Sequence, residues 1–138
     1  MTSASTFSTP SLLDRLLADD LNRLLPALQL VTLESDQLLY QAGQAVSSVY
    51  FPVTAQIEEV LPPSDGEGQV LRRIDARAMA GSCVLGDAVS TRTARVCSPG
   101  QAYRMGYADF VRTLNELRPF RELVMQDAAA AVMACGRR

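Results

Sequence analysis

The chain has 138 residues, 48% hydrophobic and 20% charged, with a formal net charge of -2. That balance suits one folded domain and excludes a disordered tail or a polybasic nucleic-acid binder. There is no His, no Trp and no Lys, so all 13 cations are Arg. This removes Ser-His and Cys-His nucleophile pairs, imidazole bases, His-ligated zinc or haem, lysine Schiff bases and the P-loop lysine, and with them most enzyme classes.

Residues 1–10 are Ser/Thr-rich and read as a loose leader. From Ser11 the spacing becomes helical: Leu12, Leu13, Leu16 and Leu17, then Leu21, Leu24, Leu25 and Leu28. Ser11 with Asp14 three residues on predicts a capping box. The Asp19–Asp20 pair marks a second start and Pro26 disturbs the end, so two short helices are expected over 11–28.

Short apolar runs follow over 29–106, the pattern of a roll or barrel of antiparallel strands. The predicted strands are Leu30–Leu33, Leu38–Tyr40, Val49–Phe51, Ala55–Leu61 and Gln69–Ile74, with Ser64–Gly68 the strongest turn signal. Thr93–Cys97, the turn Ser98-Pro99-Gly100 and Ala102–Met105 predict a last hairpin. Helical spacing returns over 107–135. Phe110, Val111, Leu114 and Leu117 mark one helix, and Pro119 opens another through Phe120, Leu123, Val124, Ala128 and Val132, with Gly136 expected to stop it. The grouping of helices, strands and helices predicts an α+β domain. Small residues on the last helix invite close approach of a second subunit, so a homodimer through that helix is expected, with packing on its own domain as the alternative.

Cys83, Cys97 and Cys135 are odd in number and widely spaced, without a C-x-x-C pair. No zinc, iron–sulfur or disulfide framework is expected from them, only reduced and mostly buried thiols. No apolar run approaches the roughly 18 residues of a membrane span. The first ten residues lack the cationic start and apolar core of a secretory signal. Cytoplasm is the expected location.

Several short motifs then fall in a telling order: Tyr40-x-x-Gly43, Val49-Tyr50-Phe51-Pro52, the Asp65-Gly66 turn, Gly81 through Arg92-Thr93-Ala94, Pro99-Gly100, Tyr107-Ala108-Asp109-Phe110 and Pro119-Phe120-Arg121-Glu122-Leu123. Over about residues 12–135 the chain resembles the cyclic-nucleotide-binding sensor half of the Crp/Fnr (catabolite-activator-like) transcription regulators. The resemblance implies a jelly-roll, or double-stranded β-helix, flanked by N-terminal and C-terminal helices. It also implies a cyclic nucleotide (cAMP or cGMP), or another small anionic molecule, as effector.

In that family a phosphate-binding cassette opens with a glycine and a glutamate and closes with an Arg-Ser/Thr-Ala triplet. Helix-start amides and the arginine hold the phosphate, and the glutamate accepts the ribose 2′-hydroxyl. By position the ligand-binding set is Gly81, Ser82, Cys83, Arg92, Thr93 and Ala94. Ser82 stands where the family has its glutamate. A serine lacks both reach and charge, so cyclic-nucleotide affinity is expected to fall about ten- to 150-fold; Asp87 could substitute only through a rearranged loop. Plainer roles stand beside these: Arg92 as an exposed or self-paired loop arginine, Thr93 as a strand residue, Gly81 as a positive-φ position, Arg95 on a solvated face.

Family members continue the dimer helix into a helix-turn-helix module, whereas this sequence stops at Gly136-Arg137-Arg138, so direct DNA binding by this chain is not expected. Two functions follow: a regulatory sensor that binds an anionic effector, or a ligand-free roll serving as a dimerisation or docking scaffold. Catalysis is not expected, since even the adjacent carboxylates Glu58-Glu59 face opposite sides of a strand.

Overall fold

The computed structural model describes residues 11–61, 69–82, 90 and 92–136, with the backbone alone over 132–136. The leader, the Ser64–Gly68 turn, Cys83 and Asp87 lie outside the described residues.

Ser11 and Asp14 form the expected capping box. The Leu13 N–H donates to Ser11 Oγ at 3.2 Å and the Ser11 N–H to Asp14 Oδ2 at 2.8 Å. The box opens a 3-10 turn, Leu12–Arg15, that buries Leu12 and Leu13. The chain is extended at Leu16 and Leu17 and restarts as helix α1, Ala18–Leu24, with Asp19 and Asp20 at its positive end. Pro26 cannot donate into a continuing helix, and it falls in a second 3-10 turn, Leu25–Ala27. The two expected helices are therefore one 3-10 turn and one short helix with a 3-10 tail.

Seven strands follow among the described residues: β1 Leu28–Leu33, β2 Leu38–Tyr40, β3 Ser48–Pro52, β4 Gln56–Leu61, β5 Gln69–Ile74, β6 Thr93–Ser98 and β7 Gly100–Gly106. They form two antiparallel sheets, ordered β1-β7-β3 and β2-β6-β4-β5. The hairpin expected over Thr93–Met105 does not form, because β6 and β7 belong to different sheets. Only Pro99 separates them, fewer than the two residues of the tightest common hairpin loop. The chain turns a corner there instead. A Cβ on Gly100 would lie 2.6 Å from Ala55 N and from Thr54 Oγ1, and the Gln101 carbonyl accepts the N–H groups of Val53, Thr54 and Ala55.

Two apolar clusters hold the layers together. One fills the roll with Leu33, Ile57, Ile74, Ala94, Val96 and Ala102. The other, outside the β1-β7-β3 sheet, gathers Leu12, Leu13, Val49, Phe51, Phe110 and Phe120. Alternation along β3 divides its side chains, with Val49 and Phe51 in the outer cluster and Tyr50 in the roll. Helix α2 spans Tyr107–Glu116 and helix α3 Arg118–Gly136, with Pro119 in the first turn and Gly136 included rather than excluded. The Phe120 ring packs at 6.1 Å from Phe51 and edge-on to Phe110 at 6.0 Å, which seats α3 on the body. No helix among the described residues is long and apolar enough to cross a membrane, which says nothing of strands.

Candidate functional site

The cassette begins beside β3. Reciprocal backbone bonds between Tyr50 and Ala80, at 3.0 and 2.8 Å, fix the chain there. Gly81 follows with φ +112°, and a Cβ on it would meet Val49 Cγ1 at 2.6 Å. Both the backbone region and the packing require glycine here. Ser82 is fully buried, and its hydroxyl donates to Asp127 Oδ2 of α3 at 2.6 Å.

The closing segment is gripped by the loop after β2. The Gly43 N–H, at φ +84°, donates to the Ser90 carbonyl at 2.7 Å, and the Ala42 N–H donates to Thr93 Oγ1 at 3.1 Å. Ser90 Oγ accepts the Arg92 N–H at 2.9 Å and donates to the Arg92 carbonyl at 2.8 Å. These bonds set the backbone of Arg92 just ahead of β6, with its side chain inward and only 4% exposed. Arg92 Nη1 donates to Glu59 Oε1 at 2.8 Å, and Nη2 donates to the Ala131 carbonyl of α3 at 2.9 Å.

Glu59 is the hub. It lies on β4 with no exposed surface, opposite Arg72 of β5 and Ala94 of β6. Its carboxylate also accepts from Tyr40 Oη at 2.6 Å and Arg72 Nε at 3.0 Å. Arg72 reaches on to Asp127 Oδ2 at 2.9 Å and the Met79 carbonyl at 3.0 Å. Burial pulls the Arg72 pKa down, but the bonds and charges of Asp127 and Glu59 outweigh it and leave the value raised. The cluster thus pairs two guanidiniums with two carboxylates, whose formal charges cancel. Every buried side-chain nitrogen or oxygen among the described residues has a hydrogen-bond partner.

Of the six positions taken from the resemblance, five lie among the described residues. Gly81, Ser82 and Arg92 come together under α3. Thr93 serves the backbone of the neighbouring loop, and Ala94 is a buried methyl in the strand beside Glu59. Arg92 is neither solvent-exposed nor idle; it is paired within the chain. Glu58, on the opposite face from Glu59, pairs with Arg95 at 2.7 Å, and Arg95 is 44% exposed. Cys97 is half-buried and free, less enclosed than expected.

Sequence reasoning missed Glu59, Arg72 and Asp127 as site residues. The signal for Glu59 was its place two residues from Ile57 on a strand whose inward face is apolar. For Asp127 it was the helical spacing from Phe120, Val124 and Ala131, which puts a carboxylate on the buried stripe. Among the described residues no group of three or more His, Cys, Asp or Glu could hold a metal ion. Chemically, the arrangement is a buried arginine already supplied with an internal anion and a helix carbonyl.

The chain is thus a two-sheet antiparallel roll with a positive-φ glycine turn at Gly81 and an inward arginine beneath its C-terminal helix. The chain belongs to the cyclic nucleotide-binding domain family, whose model matches residues 30–116, more than half of the sequence. Solved structures share the fold. The sensor domain of the transcriptional regulator DNR from Pseudomonas aeruginosa is 17% identical with a TM-score of 0.68, the match covering 86% of this chain and 81% of that one. The Thermus thermophilus catabolite activator protein is 14% identical with a TM-score of 0.68, over 88% of this chain and 56% of that one. The regulatory domain of Toxoplasma gondii PKA, solved with cAMP, is 22% identical with a TM-score of 0.63, over 74% of this chain and 40% of that one. No curated protein matches the sequence.

Proposed function

We propose that this chain is a regulatory sensor domain of the Crp/Fnr type whose segment Gly81–Ala94 takes a cyclic nucleotide, cAMP or cGMP, or another small anionic molecule, with reduced affinity. The observation that carries this reading is the Arg92 guanidinium, its backbone held by the Ser90 and Gly43 bonds and its side chain inward under the same helix, α3, that Ser82 reaches at Asp127. Two features lower the affinity. Ser82 offers no carboxylate to a ribose hydroxyl, and the Nη groups of Arg92 are already engaged by Glu59 and by the Ala131 carbonyl. An effector competes with both of them for the guanidinium. Because the Ala131 carbonyl belongs to α3, an effector that takes its place on Arg92 loosens the helix, which gives the binding event a mechanical readout.

In this reading the domain is cytoplasmic, has no catalytic residue and makes no direct DNA contact. It forms a homodimer through the outer face of α3, where Met125 is 52% exposed. A second reading, a ligand-free scaffold for dimerisation or docking, is favoured by the side chains that fill the site, Glu59, Arg72 and Asp127.

Thermal unfolding with millimolar cAMP, cGMP or a cyclic dinucleotide separates the two. A ligand that binds only the folded state raises the midpoint by mass action. A rise with one of them supports the sensor; a flat response to all assigns the scaffold. Sedimentation over a range of concentrations tests the dimer, and a strict monomer would remove it.

A further inference from the structure

We propose that Glu59 is the affinity-determining residue of this site: its carboxylate holds the Arg92 charge that an effector's anion needs, from a strand at the centre of its sheet. The inference rests on the reading of Arg92 as the effector's arginine and adds what governs it. Glu59 receives three donors from three separate parts of the chain, Tyr40 on β2, Arg72 on β5 and Arg92 ahead of β6, all within 3.0 Å. It sits on β4, which is bonded on both sides, to β5 and to β6. The sheet fixes its backbone, and the three donors fix its carboxylate.

Asp127 differs, because it belongs to the terminal helix α3 and could leave with it. An arriving phosphodiester therefore meets the Glu59 charge even where α3 has moved away. With Arg72, Arg92, Glu59 and Asp127 all ionised the four charges cancel, so one bound monoanion makes a buried net charge of minus one, which the interior opposes. Glu59→Gln keeps the size and an acceptor oxygen for its neighbours but leaves the cluster at plus one. The change favours a bound anion relative to the parent.

The test uses the full chain, titrated with cAMP and separately with inorganic phosphate at constant ionic strength, followed by thermal unfolding and calorimetry. Glu59→Gln is expected to unfold at a lower temperature than the parent in chloride. Phosphate or cAMP should restore it, with a Kd at least about tenfold below the parent's. A Kd equal to or weaker than the parent's overturns the proposal. If Glu59→Gln does not fold under either anion, Glu59→Met, an uncharged side chain of similar volume, is titrated in its place with the same two outcomes; Asp127→Asn, which makes the same change of net charge and keeps Glu59, should tighten anion binding less than the Glu59 variant, and equal tightening overturns the assignment to Glu59. Adding Arg92→Met to the tightened variant must abolish the gain. A gain that survives Arg92→Met places the anion elsewhere and ends both the inference and the effector reading of Arg92. A parent that binds nothing beside a Glu59→Gln that binds keeps the inference and assigns the parent to the scaffold reading.

Discussion

Two glycines with positive φ bracket the site, and they are not equivalent. Gly43, at φ +84°, has open space within 4 Å of where a Cβ would stand, whereas Gly81, at φ +112°, would drive a Cβ into the stiff β-branched Val49. Gly43→Ala is expected to cost about 1–2 kcal/mol from backbone conformation alone. Gly81→Ala adds a steric clash to strain of about 1–3 kcal/mol, and should be the more damaging of the two in urea denaturation followed by circular dichroism. Equal losses would show that the Val49 contact relaxes freely. At this scale the sequence offers Gly81 and Arg92 as candidates through their place in an ordered set of motifs. It did not carry Glu59, because a carboxylate in a strand reads as solvated until its guanidinium partners are known. Those partners, Arg72 and Arg92, lie 13 and 33 positions away.

Among the elements, α3 is held by apolar packing and by a buried carboxylate together. Its apolar residues Phe120, Leu123 and Val124 bury it against the outer cluster, while Asp127 ties it to Arg72 and Ser82. Asp127→Ala leaves the Ser82 hydroxyl without its acceptor and one guanidinium charge uncompensated. A loss of about 3–5 kcal/mol is expected for removing one partner of such a buried pair. Amide exchange read along the chain should then quicken most over residues 118–131. Exchange that quickens first in β4 and β6 would mean that Asp127 supports the sheet rather than the helix. The Pro99 corner shows the limit of local signals in another way. Two runs of strand-forming residues around a Ser-Pro-Gly turn look like a hairpin locally, yet β6 pairs with β2 and β4, and β7 with β1 and β3. Local turn chemistry marks where a chain reverses or bends; partner choice belongs to the sheets.

For the whole molecule, the two clusters share their walls, since β3 contributes to both and Tyr107 packs against both. They are expected to unfold together. Phe51→Ala, which empties a fully buried position beside Phe120, should cost about 3–5 kcal/mol and lower the stability of both sheets equally in one transition. Separate transitions for the two sheets would show that the clusters are independent.

Periodicity, capping residues and turn signals were enough to define the α+β order, the Ser11–Asp14 cap, most strand positions and the helix that starts near Pro119. These depend on neighbours a few residues apart, which a sequence displays directly. The distribution of strands between two sheets, the seating of α3 and the neutralisation of Arg92 depend on contacts between distant segments. Only the folded chain decides those, because a buried charge takes its meaning from the opposite charge that the fold brings within 3.0 Å of it.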